Sequence, residues 1–231
     1  MSMTERFVVI GGDAAGMSAA SKAKRDAPDT DVIVFERGEW VAYGACGLPY
    51  YIRGDIETLD DLVSVTPAEF IDERDIDLRL EHEVTTIDPE TRTVTVVDPD
   101  GEQFEQTYDT LLIATGAHAV LPDISGKDLD GVFTLHSMTA GRDIREYITR
   151  ARSDRGSGFH DGSDTAAQKY LDTQPPETVA LVGGGYIGIE LAEAFVANGM
   201  TVELFQRGSH LLSDFGEAVA SEVETHLREQ G

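Results

Sequence analysis

At 231 residues the chain is long enough for one large domain or two ordinary ones, and 41% apolar residues suffice for packed cores. Its 43 acidic against 18 basic residues leave a formal charge of -25, a field that repels nucleic acid and anionic membranes. A single cysteine excludes an intrachain disulfide framework, no stretch approaches the roughly 18 apolar residues of a membrane span, and the N-terminus enters a strand without a signal-type apolar region, so a cytoplasmic protein is expected. The carboxylates are spread along the whole chain, which fits a solvated surface suited to high salt, where screening shrinks to about 3 Å at 1 M. An ordinary acidic cytosolic protein is the plainer alternative.

Phe7 to Ile10 is a short β-branched apolar run, followed by Gly11-Gly12-Asp13-Ala14-Ala15-Gly16 and an alanine-rich stretch to Ala27 that Pro28 closes. This pattern predicts strand, tight turn and helix. Asp31 to Phe35 supplies the next buried strand and ends in Glu36, about 20 residues past the glycine turn, as a dinucleotide fingerprint requires. The segment Tyr43-Gly44-Ala45-Cys46-Gly47-Leu48-Pro49-Tyr50-Tyr51 comes next, with a helix start expected just after the cysteine. A polar helical region lies around Pro67 to Asp72, and Glu83 to Ile87 with Thr93 to Val97 alternate about Asp88-Pro89-Glu90 like hairpin strands. After a turn at Asp98-Pro99-Asp100-Gly101, Leu111 to Ala114 reads as a buried strand running into Thr115-Gly116.

Met138 to Ala151 predicts a helix, and the Gly-, Ser- and Asp-rich residues 152–173 predict a surface insertion, a solvated loop rather than a lid. Thr178 to Val182 then repeats the opening: strand, Gly183-Gly184-Gly185-Tyr186-Ile187-Gly188, a helix through Asn198 stopped by Gly199, and a strand Thr201 to Phe205 leading to Gln206-Arg207. A last amphipathic helix runs toward Gly231. The fold expected is α/β, two Rossmann-like βαβ domains at 1–116 and 117–231, each with a small antiparallel β element, the second with fewer strands than the five or six usual for such a sheet.

One glycine turn of this kind is weak evidence for a nucleotide; two are much stronger. Each permits a tight turn, close approach of backbone to pyrophosphate, and alignment of that anion with a helix N-terminus. The second copy is complete at Gly183, Gly185 and Gly188, whereas the first carries Asp13 at its middle position. Either that side chain points outward, or the phosphates lie nearer Ala14 and Ala15. Glu36 can accept the hydroxyls of an unphosphorylated ribose, as in FAD or NAD. Gln206-Arg207 stand at the corresponding place in the second unit, where the acid that repels a 2′-phosphate is missing, so NADPH is favoured; Arg207 as a plain strand-end cation is the alternative. Cys46 is either a small buried residue or a redox thiol, and its place before a helix start, where free N–H groups stabilise a thiolate, favours the second.

Together, Gly11 to Ala20, Cys46-Gly47-Leu48-Pro49-Tyr50-Tyr51, Ala114-Thr115-Gly116-Ala117 and Gly183 to Glu190 resemble the single-cysteine pyridine nucleotide-disulfide oxidoreductases, which include coenzyme A-disulfide reductase, NADH oxidase and NADH peroxidase. The resemblance covers the chain apart from the insertion, and members are about twice this length. It implies FAD against Gly11, Gly12, Ala14, Ala15 and Gly16, with Glu36 and Arg37 at the adenosine ribose, Val84 near the adenine, and Ala114, Thr115 and Gly116 closing the site. It implies NADPH or NADH on the second turn, at Gly183, Gly185, Tyr186, Ile187 and Gly188, with Glu190 near the nicotinamide unless it is a surface glutamate. For the coenzyme A branch it implies substrate contacts at Ser18, Lys22, Arg25 and Arg74. Lys22 and Arg25, three apart on one helix face, suit an anionic substrate, although solvated helix charges are the plainer alternative. Ala42 and Ala45 depart from members that carry polar side chains before the cysteine. A homodimer is implied for the full-length protein.

The activity expected is reduction of coenzyme A disulfide through a Cys46 mixed disulfide. The alternatives are an oxidase or peroxidase cycling Cys46 through sulfenic acid, a persulfide reductase, and a truncated binding module without turnover. His82, His118, His136, His160, His210 and His226 form no pair at metal-ligand spacing, and no nucleophilic serine elbow is present, so metal and hydrolase chemistry are unsupported.

Overall fold

The computed structural model describes residues 5–149 and 176–230. The chain forms two compact units, one of residues 1–44 with 60–118, the other of residues 45–59 with 119–231.

The first unit opens with β1 (Arg6–Ile10), α1 (Ala14–Asp26) and β2 (Asp31–Phe35). A π turn at Glu69–Glu73, within the polar region expected to be helical, leads to β3 (Asp77–Arg79). Then come β4 (Glu83–Asp88), β5 (Thr93–Val97), β6 (Gln103–Thr107) and β7 (Thr110–Ile113). The strands β3-β2-β1-β7 form one parallel sheet, and β4-β5-β6 an antiparallel one. Alternation along the central strands divides the core into two. Val9, Val32 and Val34 pack with Met17 and Ala20 of α1 and with Phe70, Ile76 and Leu78. Val8, Ile10, Ile33 and Phe35 point the other way, onto Val94 and Val96 of the antiparallel sheet. Covering both faces is why β1 and β2 read as unbroken apolar runs.

The second unit contains α2 (Leu48–Arg53), α3 (Met138–Thr149), β8 (Thr178–Val182), α4 (Tyr186–Ala197), β9 (Thr201–Phe205) and α5 (Glu217–Gln230). β8 and β9 pair in parallel, from Thr178 opposite Thr201 to Val182 opposite Phe205. Among the described residues an antiparallel sheet occurs in the first unit alone, so the expected second one is not found there. The expected boundary at 116 places the cysteine segment in the first domain; residues 45–59 pack instead with the second unit, because the buried Leu48, Pro49, Tyr51 and Ile52 of α2 lie against α3 and α4. The expected insertion at 152–173 lies outside the described residues.

Candidate active site

The chain reverses between β1 and α1 in three residues. Gly11 has φ of 109°, and a Cβ there would stand 2.3 Å from the carbonyl oxygen of Ala114, so no side chain fits. Its N–H donates to Phe35 O at 2.8 Å, and the Ala114 N–H donates to Ile10 O at 2.8 Å, which brings Ala114-Thr115-Gly116 beside the turn. Gly16 is required for a separate reason: a Cβ there would lie 1.8 Å from Gly11 O. The first turn of α1 carries no acidic residue, and Ala14 and Ala15 are exposed, leaving the helix N-terminus open to an anion.

Glu36 ties the far strand to this turn. Its Oε2 accepts the Gly12 N–H at 2.7 Å and its Oε1 accepts the Gly38 N–H at 2.7 Å. A carboxylate has about four lone-pair sites, so acceptor capacity remains for hydroxyl groups. Arg37 beside it is exposed, and Val84 packs half-buried against the core cluster of Phe35. Asp13 is the N-cap residue of α1 but makes no side-chain cap bond. Its Oδ1 is buried and has no hydrogen-bond partner among the described residues, so the carboxylate does not simply turn to solvent. Burial foremost, then the carboxylates of Asp13 and Glu36, push the Tyr43 phenol above its ordinary value.

The second unit builds the same turn again. Gly183 has φ of 118°, and its N–H donates to Phe205 O at 2.8 Å. A Cβ on Gly188 would lie 2.0 Å from Gly183 O. Gln206 Oε1 accepts the Gly184 N–H at 3.0 Å, which is the bond that Glu36 makes to Gly12. The correspondence runs further than sequence reading carried it. Gly12 O accepts the Ala42 N–H at 3.0 Å and Gly184 O accepts the Leu212 N–H at 2.9 Å, and both Ala42 and Leu212 have φ of 46°. The Arg-Gly pair repeated at 37–38 and 207–208 was the available signal. Like α1, α4 has no acidic residue in its first turn, and Gly185 leaves open space where the first copy has Asp13. Tyr186 and Ile187 are exposed, with the Tyr186 ring edge-on to Phe215 at 5.6 Å between centroids. Glu190, one turn on, and the exposed Arg207 complete the predicted set. Both glycine cradles therefore have the backbone closeness and open helix ends that dinucleotide pyrophosphates need.

Cys46 is exposed, on a 3-10 turn at Ala45–Gly47 that feeds directly into α2, so the alternative of a small buried residue falls. On α1, Ser18, Lys22 and Arg25 are all exposed and recur at helical spacing along one face that begins at the glycine turn. Lys22 forms an ion pair with Asp26. Arg74 reaches the same helix through Ser21, donating to its Oγ at 3.1 Å, while its guanidinium lies 4.7 Å from the Phe70 ring centroid. Among the described residues, no group of three or more acidic, histidine or cysteine side chains could hold a metal, and no helix is long and apolar enough to cross a membrane.

Relatives place this geometry. The chain is 41% identical over 230 residues to the NAD(P)H sulfur oxidoreductase (CoA-dependent) of Pyrococcus abyssi, covering 99% of this chain and 46% of that one. It is 31% identical over 204 residues to the coenzyme A disulfide reductase of Staphylococcus haemolyticus, covering 87% and 40%. The structure of a NAD-dependent persulfide reductase from A. fulgidus superposes with a TM-score of 0.82 at 33% identity, covering 98% of this chain and 38% of that one. The chain thus spans less than half the length of these relatives. Residues 5–231 match the pyridine nucleotide-disulphide oxidoreductase family, and the chain belongs to that family.

Proposed function

We propose that the chain carries the FAD turn, the NAD(P)H turn and the redox thiol of a disulfide reductase whose substrate is coenzyme A disulfide. The observation that carries this proposal is the exposure of Cys46 on a helix-start turn in a chain that builds one dinucleotide turn twice. Residues 1–44 and 60–116 would hold FAD and 117–231 NAD(P)H, with the thiol on the segment 45–59 that packs with the second unit. In the first, the N–H groups opening α1 face the pyrophosphate, Glu36 offers its remaining lone pairs to the ribose beside Arg37, Val84 borders the adenine, and Ala114, Thr115 and Gly116 close the cradle. In the second, Gly183 to Gly188 play the same part, and Glu190 borders the nicotinamide.

The Cys46 thiolate attacks one sulfur of the disulfide, the S–S bond breaks, and one coenzyme A leaves as a thiolate while the other stays bonded to Cys46. Bound FAD supplies the path by which the electron pair of NAD(P)H reaches that mixed disulfide, freeing the second thiol and restoring Cys46. Ser18, Lys22, Arg25 and Arg74 present hydroxyl and cationic groups from α1 and its neighbour to the phosphates of the substrate. Gln206 serves as a neutral acceptor where Glu36 is anionic, and Arg207 stands exposed next to it, which favours NADPH over NADH. Tyr186 and Ile187 flank the entrance to that turn. A persulfide is the second reading, supported by the names of the Pyrococcus and A. fulgidus relatives. The same thiolate would then attack the outer sulfur of the persulfide, breaking its S–S bond and releasing the parent thiolate, and the electron pair of NAD(P)H would cleave the resulting Cys46 persulfide to sulfide and the restored thiolate.

We place the module in a salt-rich, reducing cytoplasm on the strength of its free thiol and its charge of -25, and the full-length protein in a homodimer on the family resemblance alone. The test is NADPH-driven release of thiols from coenzyme A disulfide by the FAD-loaded protein. Cys46→Ser is expected to keep the flavin and lose the turnover, and a Cys46→Ser protein with full activity would end the proposal.

A further inference from the structure

α2, the helix that follows Cys46, has six residues. Isolated helices below about 12–15 residues are marginal in water, so the place of α2 is set by its neighbours. At the end nearest the thiol, Leu48 is buried against α3, where a Cβ on Gly141 would stand 2.7 Å from Leu48 Cδ2. At the other end the last turn leaves carbonyls without intrahelical partners. Asn198 Nδ2 donates to Ile52 O at 3.2 Å and reaches Arg53 O at 3.5 Å, while also bonding Ala194 O at 2.8 Å. Just beyond, Arg145 Nη1 donates to Ile56 O at 2.9 Å and Glu57 O at 3.0 Å, and its guanidinium lies 4.3 Å from the Tyr51 ring centroid.

Asn198 is the C-cap of α4, whose N-cap is Gly185 of the second glycine turn. The 12 residues of α4 make a rod of about 18 Å, seated by the buried Leu191, Ala192, Ala194 and Phe195. One end of that rod is the second dinucleotide cradle, and the other caps the helix that carries the thiol. Both ends lie in one packed unit.

We infer that Asn198 is a positioning residue that couples occupancy of the second glycine turn to the reactivity of Cys46, with Arg145 as the second holder of α2. The inference rests on the proposal that this turn takes NAD(P)H. The bistable element is α2, either capped by Asn198 or released. A nucleotide at the N-terminus of α4 orders that helix, and an ordered α4 favours the capped state, so the two sites share a coupling free energy. In the capped state the Ala45–Gly47 turn is fixed, and in the released state the thiol is more open to attack.

The test times alkylation of Cys46 by iodoacetamide in the purified chain, kept under a non-thiol reductant so that Cys46 is a free thiol in every sample, with and without NADPH, while calorimetry on the same samples reads nucleotide binding. In the wild type, saturating NADPH is expected to slow alkylation about fivefold, the low end of ordinary couplings. In Asn198→Ala the basal rate is expected to rise and the response to NADPH to vanish although NADPH still binds. Bound NADPH with no slowing in the wild type overturns the coupling, as does a full response in Asn198→Ala, which would mark direct shielding. No binding of NADPH or NADH removes the nucleotide reading itself and the coupling with it. Should Asn198→Ala fail to fold by circular dichroism, hydrogen exchange in the wild type decides. The Gly54 and Asp55 amides, which both donate to Tyr50 O at 3.0 Å, are expected to exchange more slowly once NADPH binds, and unchanged exchange overturns the proposal.

Discussion

Gly16 and Gly188 show how a single hydrogen atom in place of a methyl group decides the site. Each would press a Cβ to within 2 Å or so of the carbonyl of the glycine that opens its turn, at 1.8 Å from Gly11 O and 2.0 Å from Gly183 O. Real contacts never approach that closely, so alanine would force the turn apart rather than fill a gap. Gly188→Ala is therefore expected to weaken NAD(P)H binding by at least about tenfold, the equivalent of 1.4 kcal/mol, while FAD binding in the first unit is kept. Calorimetry with each nucleotide reads both. Equal affinity for NADPH in the variant would show that the second turn is not the nucleotide cradle. The glycine spacing was legible in the sequence because the tight turn needs those residues. The paired use of Glu36 and Gln206 as acceptors for Gly12 and Gly184 was not, since it depends on strands β2 and β9 coming back beside their turns.

The elements themselves were legible to the extent that their side chains carried a period. β1, α1, β2, β4, β5, β7, α3, β8, α4, β9 and α5 all follow from apolar runs or alternation bounded by Gly, Pro or Asp. β3 and β6 were missed because Asp77-Leu78-Arg79 and Gln103-Phe104-Glu105-Gln106-Thr107 are mostly polar edge strands, set by pairing with β2 and β5 and not by their own pattern. The placement of α2 was missed for a related reason: its apolar side is plain, but its partners on α3 and α4 lie far away in sequence. The loop after β9 is another element held from a distance. Glu224 of α5 accepts the Leu211 N–H at 3.0 Å and faces His210 Nδ1 at 3.4 Å, while Leu211 lies over Gly184. The Leu211 N–H first, then His210, hold the Glu224 carboxyl below its ordinary value. A carboxyl lowered by folding adds stability above its unfolded value, about 4.3, and loses it as pH falls through the lowered folded value. Glu224→Gln is thus expected to melt below the wild type at pH 7, with the difference shrinking in acid below about pH 4. A difference independent of pH would show that the Glu224 charge plays no part in holding the loop.

For the whole molecule, charge sets the working conditions. A net charge of -25 on 231 residues repels itself, and screening shortens that repulsion from about 10 Å at 0.1 M salt to about 3 Å at 1 M. The melting temperature is expected to climb between 0.1 M and 2 M potassium chloride; a flat response would leave an ordinary acidic protein. In the proposed function, one exposed thiol, Cys46, reacts with a small-molecule disulfide. The most direct measurement is the rate at which coenzyme A disulfide adds to the purified chain, followed by intact mass. One coenzyme A per chain is expected, bonded to Cys46, removable by a reductant, and formed at least about tenfold faster than on a small free thiol at the same pH. A rate no greater than that of the free thiol, or an added oxygen on Cys46 with no coenzyme A adduct, would contradict it.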